Sequence, residues 1–121
     1  MGIKSIGVAS SKDKLDMCKW LGVDEVINYK EINTPELFTE EVMKMTDGKG
    51  VDYIIDPICA SNFQQNCQIL AMDAKWVVYG FLGGFNVSDG LNMQLLFKKR
   101  ASLLTTTLRG RSIEYKTKLM T

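Results

Sequence analysis

Apolar residues in this chain fall in short runs, separated by stretches in which they recur at helical spacing. The first run, residues 3–9, is apolar and partly β-branched, which predicts a strand. Ser10 or Ser11 can then cap a helix whose inward face holds Leu15, Cys18 and Leu21 or Gly22, with Gly22 suited to its end. Residues 25–28 form a second short strand. Thr34-Pro35 is a helix start, and Phe38, Val42 and Met45 repeat behind it at i, i+4, i+7. A turn at residues 47–50 ends that helix. Residues 51–56 make the strongest strand pattern, stopped by Pro57. Ser61 and Gln64 have capping-box spacing ahead of a stripe of Phe63, Cys67 and Leu70. Residues 76–80 are the next strand and run into the loop Gly80-Phe81-Leu82-Gly83-Gly84. A short helix at 91–98, a strand at 101–108 and a helix capped by Ser112 complete the chain.

Strands alternating with helices predict an α/β fold with a mainly parallel sheet of about five strands. In such sheets ligands bind at the carboxyl ends of the strands. Those ends lie here at residues 9–14, Tyr29, 56–60, 80–84 and 107–111.

Composition narrows the chemistry. The chain has 121 residues, enough for one domain. Net charge is +1, so no broad field recruits nucleic acid or an anionic membrane. No apolar run approaches the roughly 20 residues needed to span a bilayer. Residues 1–9 do not read as a secretory signal. Three cysteines without close pairs argue against a disulfide framework and for a reducing, cytoplasmic setting. There is no histidine. A histidine zinc ligand, a Ser-His-Asp triad and a histidine acid/base are therefore excluded within this chain. Asn86-Val87-Ser88 matches a glycosylation sequon, read as chance without a secretion signal.

Several ordered segments carry a resemblance. They are Gly7-Val8-Ala9-Ser10-Ser11, then Leu21-Gly22-Val23-Asp24-Glu25-Val26-Ile27-Asn28-Tyr29, then Thr46-Asp47-Gly48-Lys49-Gly50-Val51-Asp52. Asp56-Pro57-Ile58 and Trp76-Val77-Val78-Tyr79-Gly80-Phe81 follow in order. The set resembles the medium-chain dehydrogenase/reductase superfamily, in its zinc-free quinone oxidoreductase branch, the group that includes zeta-crystallin. The resemblance implies that residues 1–121 are part of an NADP-binding, Rossmann-like domain. The family's GroES-like substrate domain is not among them. Nor is its first nucleotide-domain strand with the glycine-rich pyrophosphate turn.

The implied reaction of the complete enzyme is hydride transfer from NADPH to a quinone or activated alkene. An enoyl or alkenal reductase of the same superfamily is the nearest alternative. A non-catalytic nucleotide- or RNA-binding module is another, weakened by the near-zero charge and the absence of an aromatic-basic stripe. The isolated chain is expected to be inactive, and a homodimer is an assembly the resemblance allows.

The resemblance also assigns residues. Ser10, Ser11 and Lys14 follow the first strand where an NAD-selective domain would carry an acid, and they suit the 2′-phosphate of NADPH. Tyr29 is expected beside the same phosphate. Read on their own, these residues are a serine cap, a solvated lysine and a packing tyrosine. Ile58 and Cys59 belong to a loop expected to face the nicotinamide ribose, in which Pro57 and Ala60 stand where the family is richer in glycine. Cys59 itself reads as a small hydrophobe. Tyr79, Gly80, Phe81, Leu82 and Gly83 are expected to wall the nicotinamide side. Lys98, Lys99 and Arg100 read as a solvated helix end. Arg109 and Arg111, just past the last strand, read by default as surface charge, with the rim of the cofactor cleft as the alternative. No metal site and no catalytic acid or base is expected.

One expectation concerns sheet order. In the family's 3-2-1-4-5-6 order the missing strand is central. Leaving two buried edges unpaired would be costly, so the run at 3–9 is expected to pair directly with 51–56, or a partner chain to fill the gap.

Overall fold

The computed structural model describes residues 2–88 and 90–121 and divides into two units, Met1–Gly48 and Lys49–Thr121. In the first, strand β1 (Ile6–Ala9), helix α1 (Lys12–Trp20), strand β2 (Glu25–Asn28) and helix α2 (Pro35–Met45) follow one another. β1 and β2 pair in parallel, with Ile6 opposite Glu25 and Ala9 opposite Asn28. The entrance of this pair is clamped by Asp24, which accepts hydrogen bonds from the Ser5 backbone N–H (2.7 Å) and hydroxyl (2.9 Å).

Gly7 lies close under the helix: a Cβ there would lie 3.2 Å from Val23 Cγ1 and 3.5 Å from Cys18 Sγ, a tight fit. Val23, rather than Leu21, therefore closes the helix onto the strand, and Leu21 stands 69% exposed. The expected inward position for Leu21 fails because the helix turns out at residue 21. Thr34 caps α2 as anticipated, accepting from Leu37 N–H at 3.2 Å. Ile27, Phe38 and Val42 are the buried apolar residues of this unit.

The second unit holds β3 (Val51–Asp56), a 3-10 turn at Ala60–Asn62, α3 (Phe63–Ile69), β4 (Leu70–Val78), α4 (Gln94–Lys98), β5 (Ser102–Thr105) and α5 (Ile113–Met120). Its three strands run parallel in the order β3-β4-β5. Phe63, Cys67, Leu70, Ala74, Trp76, Val78 and Leu96 form its core, with the Phe63 and Trp76 rings 5.2 Å apart. The chain enters β3 through Gly50, at φ +85°, where a Cβ would sit 2.6 Å from the Ile69 carbonyl oxygen. No β-carbon fits so close to backbone, so this junction needs glycine.

Two local expectations are corrected. The capping box at Ser61 does not form; a 3-10 turn precedes α3, whose N-cap is Asn62 with no side-chain bond. The stripe Phe63, Cys67, Leu70 is buried as expected, but Leu70 already belongs to β4. That strand starts six residues before the expected Trp76 and carries an irregularity. Val51 pairs with Leu70, yet Tyr53 pairs with Lys75. The extra residues are absorbed around Asp73, which adopts φ +60°. Arg100, itself at φ +49°, grips the Asp73 carboxylate at 2.7 and 2.8 Å, and Asp73 N–H donates to Lys99 O. Arg100 is thus a surface charge, as expected, that also pairs with an exposed carboxylate.

The five strands do not form one sheet. β1 pairs with β2, and β3 pairs with β4, with no ladder joining β1 to β3. The expected direct pairing of the two is overturned. That expectation assumed buried edges, whereas Val8, Tyr53 and Ile55 are 47%, 63% and 66% exposed.

Candidate functional site

Two clusters sit at the carboxyl ends of strands, one in each unit. In the first unit β1 ends at Ala9, and Ser10 and Ser11 lead into α1. Ser11 has extended backbone (φ −141°, ψ 152°) at the N-cap, yet its hydroxyl makes no capping bond. The structural explanation of that serine is therefore not used, and its hydroxyl is free for a ligand. Tyr29 N–H donates to Ala9 O at 3.1 Å, which sets the residues after β1 and β2 side by side. Tyr29 and Lys14 are both exposed.

The neighbouring polar groups are already engaged. Lys12 pairs with Asp16 at 2.8 Å, which raises the Lys12 pKa, and the Asn28 amide binds Glu31 and Lys30. The cluster thus offers two hydroxyls, a phenol, an ammonium and the first N–H groups of a helix. Asp13 is the one carboxylate in the helix's first turn. Such a set of donors fits a phosphate monoester better than a ribose diol, which would need an acceptor.

The second cluster is organised by a buried carboxylate. Asp56, 3% exposed at the end of β3, accepts from Ile58 N–H (2.7 Å), Cys59 N–H (3.2 Å), Asn66 Nδ2 (3.2 Å) and Trp76 Nε1 (3.0 Å). Those bonds curl the chain after Pro57 into a tight turn, with Cys59 at φ +71°. A non-glycine residue in that region carries strain of order 1–3 kcal/mol, sustained here by the Asp56 bonds. The glycine-rich segment after β4 then lies along this turn. Leu82 N–H donates to Pro57 O, Gly83 N–H to Ile58 O at 2.7 Å, and Ala60 N–H to Gly84 O. A Cβ on Gly80 would fall 2.8 Å from Pro57 O, and one on Gly83 would fall 2.9 Å from Ile58 O. Glycine is needed at both because backbone meets backbone.

Of the residues singled out from sequence, Tyr79, Gly80, Phe81 and Leu82 line an open cleft of about 910 Å³, with Pro57. Phe81 stacks on Phe85 with ring centroids 4.2 Å apart. Ile58 and Gly83 sit behind this wall and hold it by backbone bonds, while Cys59 packs against the core cluster. The third thiol, Cys67, is 1% exposed, and burial pushes its pKa up to about 11.

The opposite wall comes from the segment after β5 and from α5: Thr106, Thr107, Leu108, Arg109, Arg111, Tyr115 and Leu119. Arg109 and Arg111, read by default as surface charge with a cleft rim as the alternative, are among the lining residues. Tyr115 and Leu119 were not anticipated. Their spacing on a capped helix was visible, but nothing local said which face would meet the loop from β4. Among the described residues no group of three or more His, Cys, Asp or Glu side chains could hold a metal ion, and no helix is long and apolar enough to cross a membrane.

The whole chain, residues 1–121, matches the family model described as zinc-binding dehydrogenase. A curated relative, 2-haloacrylate reductase from a Burkholderia species, is 30% identical over 88% of this chain and 30% of its own length. The chain therefore spans about 30% of that relative. Among solved structures, an NAD-dependent alcohol dehydrogenase superposes with a TM-score of 0.79 at 27% identity, covering 98% of this chain and 32% of the other. A quinone oxidoreductase from Pseudomonas syringae pv. Tomato DC3000 gives 0.67 at 27%, covering 88% and 31%. These matches agree with the Rossmann-like α/β fold and with oxidoreductase relatives.

Proposed function

Since the chain belongs to the zinc-binding dehydrogenase family, we propose that residues 1–121 form part of the cofactor-binding domain of an NADPH-dependent oxidoreductase that reduces a quinone or an activated alkene. The observation that carries the choice of NADPH is the donor set Ser10, Ser11, Lys14 and Tyr29, with an unused N-cap hydroxyl and no carboxylate at the end of β1. An NAD-selective domain would place an acceptor there for the ribose hydroxyls. The similarity to an NAD-dependent alcohol dehydrogenase is one of fold, at 27% identity.

NADPH would supply the hydride. The chain's own residues bind and orient. Lys14 and the two serines hold the adenosine phosphate, and Tyr29 donates to it. The turn Pro57–Cys59, fixed by Asp56, and the loop Gly80–Gly83 form the wall against which the nicotinamide end rests. Tyr79, Phe81 and Leu82 exclude water from that face, which strengthens the polar contacts around it. In this reading residues 1–121 supply no metal ligands: they contain no histidine, and among the described residues no group of carboxylates and thiols could hold a metal ion. The similarity to a 2-haloacrylate reductase favours an activated alkene among the acceptors.

The test is a titration of the chain with NADPH and NADH. NADPH should bind about tenfold more tightly, and Lys14→Ala should remove most of that preference while leaving NADH nearly unchanged. Equal or tighter NADH binding by the unmodified chain would overturn the cofactor assignment.

A further inference from the structure

The cleft between the β4 loop and α5 has an uneven charge. Its lining holds two guanidiniums, Arg109 and Arg111, and no carboxylate. The chain has three arginines. Arg100 is neutralised by a two-pronged pair with Asp73. The other two have no ion-pair partner among the described residues.

Arg111 is held in place without being neutralised. Its guanidinium carbon lies 4.8 Å over the Tyr115 ring, and its Nε donates to Thr107 O at 3.3 Å. Those contacts use one face and one N–H, and its terminal nitrogens are unpaired among the described residues. The Arg109 carbonyl accepts from Lys116 Nζ at 3.2 Å, adding a third cation to the same turn, while its guanidinium is unpaired. Glu114, the carboxylate of α5, is not part of the lining. A guanidinium fork presents parallel N–H groups that match a carboxylate. The remaining lining, from Pro57, Tyr79, Leu82, Leu108 and Leu119, is suited to a flat apolar body.

We propose that the acceptor taken by this cleft carries a carboxylate, held by Arg109 and Arg111 while its unsaturated body lies against the Tyr79–Leu82 wall. The inference rests on the reading that the cleft faces the reacting end of the cofactor. It narrows that reading from quinones and activated alkenes in general to unsaturated acids.

Cinnamate and cinnamamide, equal in shape and different in charge, are the probes, with inorganic phosphate as a third. Calorimetry on the 121-residue chain should show cinnamate binding about tenfold more tightly than cinnamamide at low salt, with phosphate weaker than cinnamate. The preference should fall several-fold in Arg109→Gln, whose side chain makes no structural contact. It should vanish in the Arg109→Gln, Arg111→Gln pair, in which acid and amide should bind alike. Equal binding of acid and amide by the unmodified chain, or no binding of either, would overturn the proposal. So would an Arg109→Gln variant that weakens NADPH as much as cinnamate, because the anion would then be a cofactor phosphate. NADPH titration of the same samples separates the two ideas. Intact NADPH binding without acid preference removes the carboxylate alone; acid preference without NADPH binding removes the cofactor reading.

Discussion

The unit at Met1–Gly48 and the unit at Lys49–Thr121 carry their candidate groups on different kinds of scaffold. The first has two short strands, a helix α1 with no buried residue, and three buried apolar side chains, Ile27, Phe38 and Val42. Its candidate groups are half-buried serines at the start of a helix and the exposed Lys14 and Tyr29. The second has three strands over a core centred on Trp76 and Leu70. Its candidate surface is a backbone framework, two loops bonded to each other, the first of them also to a buried carboxylate. Side-chain sites tolerate a thin scaffold because hydroxyls and an ammonium can adjust to a charged ligand. A wall made by backbone contact cannot adjust, so it stands over the packed core.

Substitutions in the two cores should show the difference most strongly. Trp76→Ala is expected to cost about 4 kcal/mol in urea unfolding, through lost burial and the cavity left behind. Ile27→Ala should cost about 2 kcal/mol, since a two-stranded sheet can close over a smaller void. A larger effect at Ile27 would mean that the core of the first unit had been undervalued.

The clamps come next. Asp56→Ala leaves the Trp76 indole N–H, the Asn66 amide and two backbone N–H groups without their acceptor, an expected loss of about 3 kcal/mol. Asp24→Ala removes the exposed clamp on Ser5 and should lower the unfolding midpoint by less. If both variants unfold at the same urea concentration, burial of Asp56 does not set its weight.

Thiol reactivity separates the regions on a third scale. At pH 8, iodoacetamide should modify the partly exposed Cys18 and Cys59 while Cys67 stays protected. With its pKa raised to about 11 from an ordinary 9.0 by burial, Cys67 loses roughly a hundredfold in thiolate on ionisation alone. Mass-mapped labelling of Cys67 at the rate of Cys18 would contradict its place in the core.

The smallest effect is in acid. Arg100, first through its hydrogen bonds, holds the Asp73 carboxyl below the usual range, and the Ser5 N–H and hydroxyl do the same for Asp24. A carboxyl lowered in the folded state adds stability above its unfolded pKa and loses it as pH falls through the folded one. Asp73→Asn should therefore destabilise at pH 7 and become neutral once pH is below the folded pKa of Asp73. A penalty that persists unchanged there would assign it to the amide's geometry rather than to charge. Both carboxylates are exposed, so the changes should be small and fade with salt.

Much of this was legible locally. Thr34 and Ser112 cap helices as their neighbours predicted, and Phe38, Val42, Phe63 and Cys67 are buried where helical spacing put them. Tyr79 to Leu82 reach the cleft because a glycine-rich segment after a strand has few other places to go. Other features were not legible. Asp56 looked like a strand end, and its role appears only when Asn66 and Trp76, ten and twenty residues on, converge on it. For Arg109 and Arg111 the sequence left surface charge and a cleft rim both open, and the β4–β5 pairing decides for the cleft by bringing their turn to Tyr79 and Phe81.

By itself, the sequence determined the alternation of strand and helix, the parallel α/β class, the absence of histidine from residues 1–121 and the strand ends that are candidates for a ligand. Each of these is written in spacings of a few residues, where backbone preference and hydrophobic period act. Tertiary structure decided that β4 begins at Leu70 and bends around Asp73. It also decided that β1 and β3 belong to separate sheets, and that one arginine is spent on an aspartate while two line a cleft. Those outcomes depend on which distant backbone group or charge lies within bonding distance, and that distance exists only once the chain is packed.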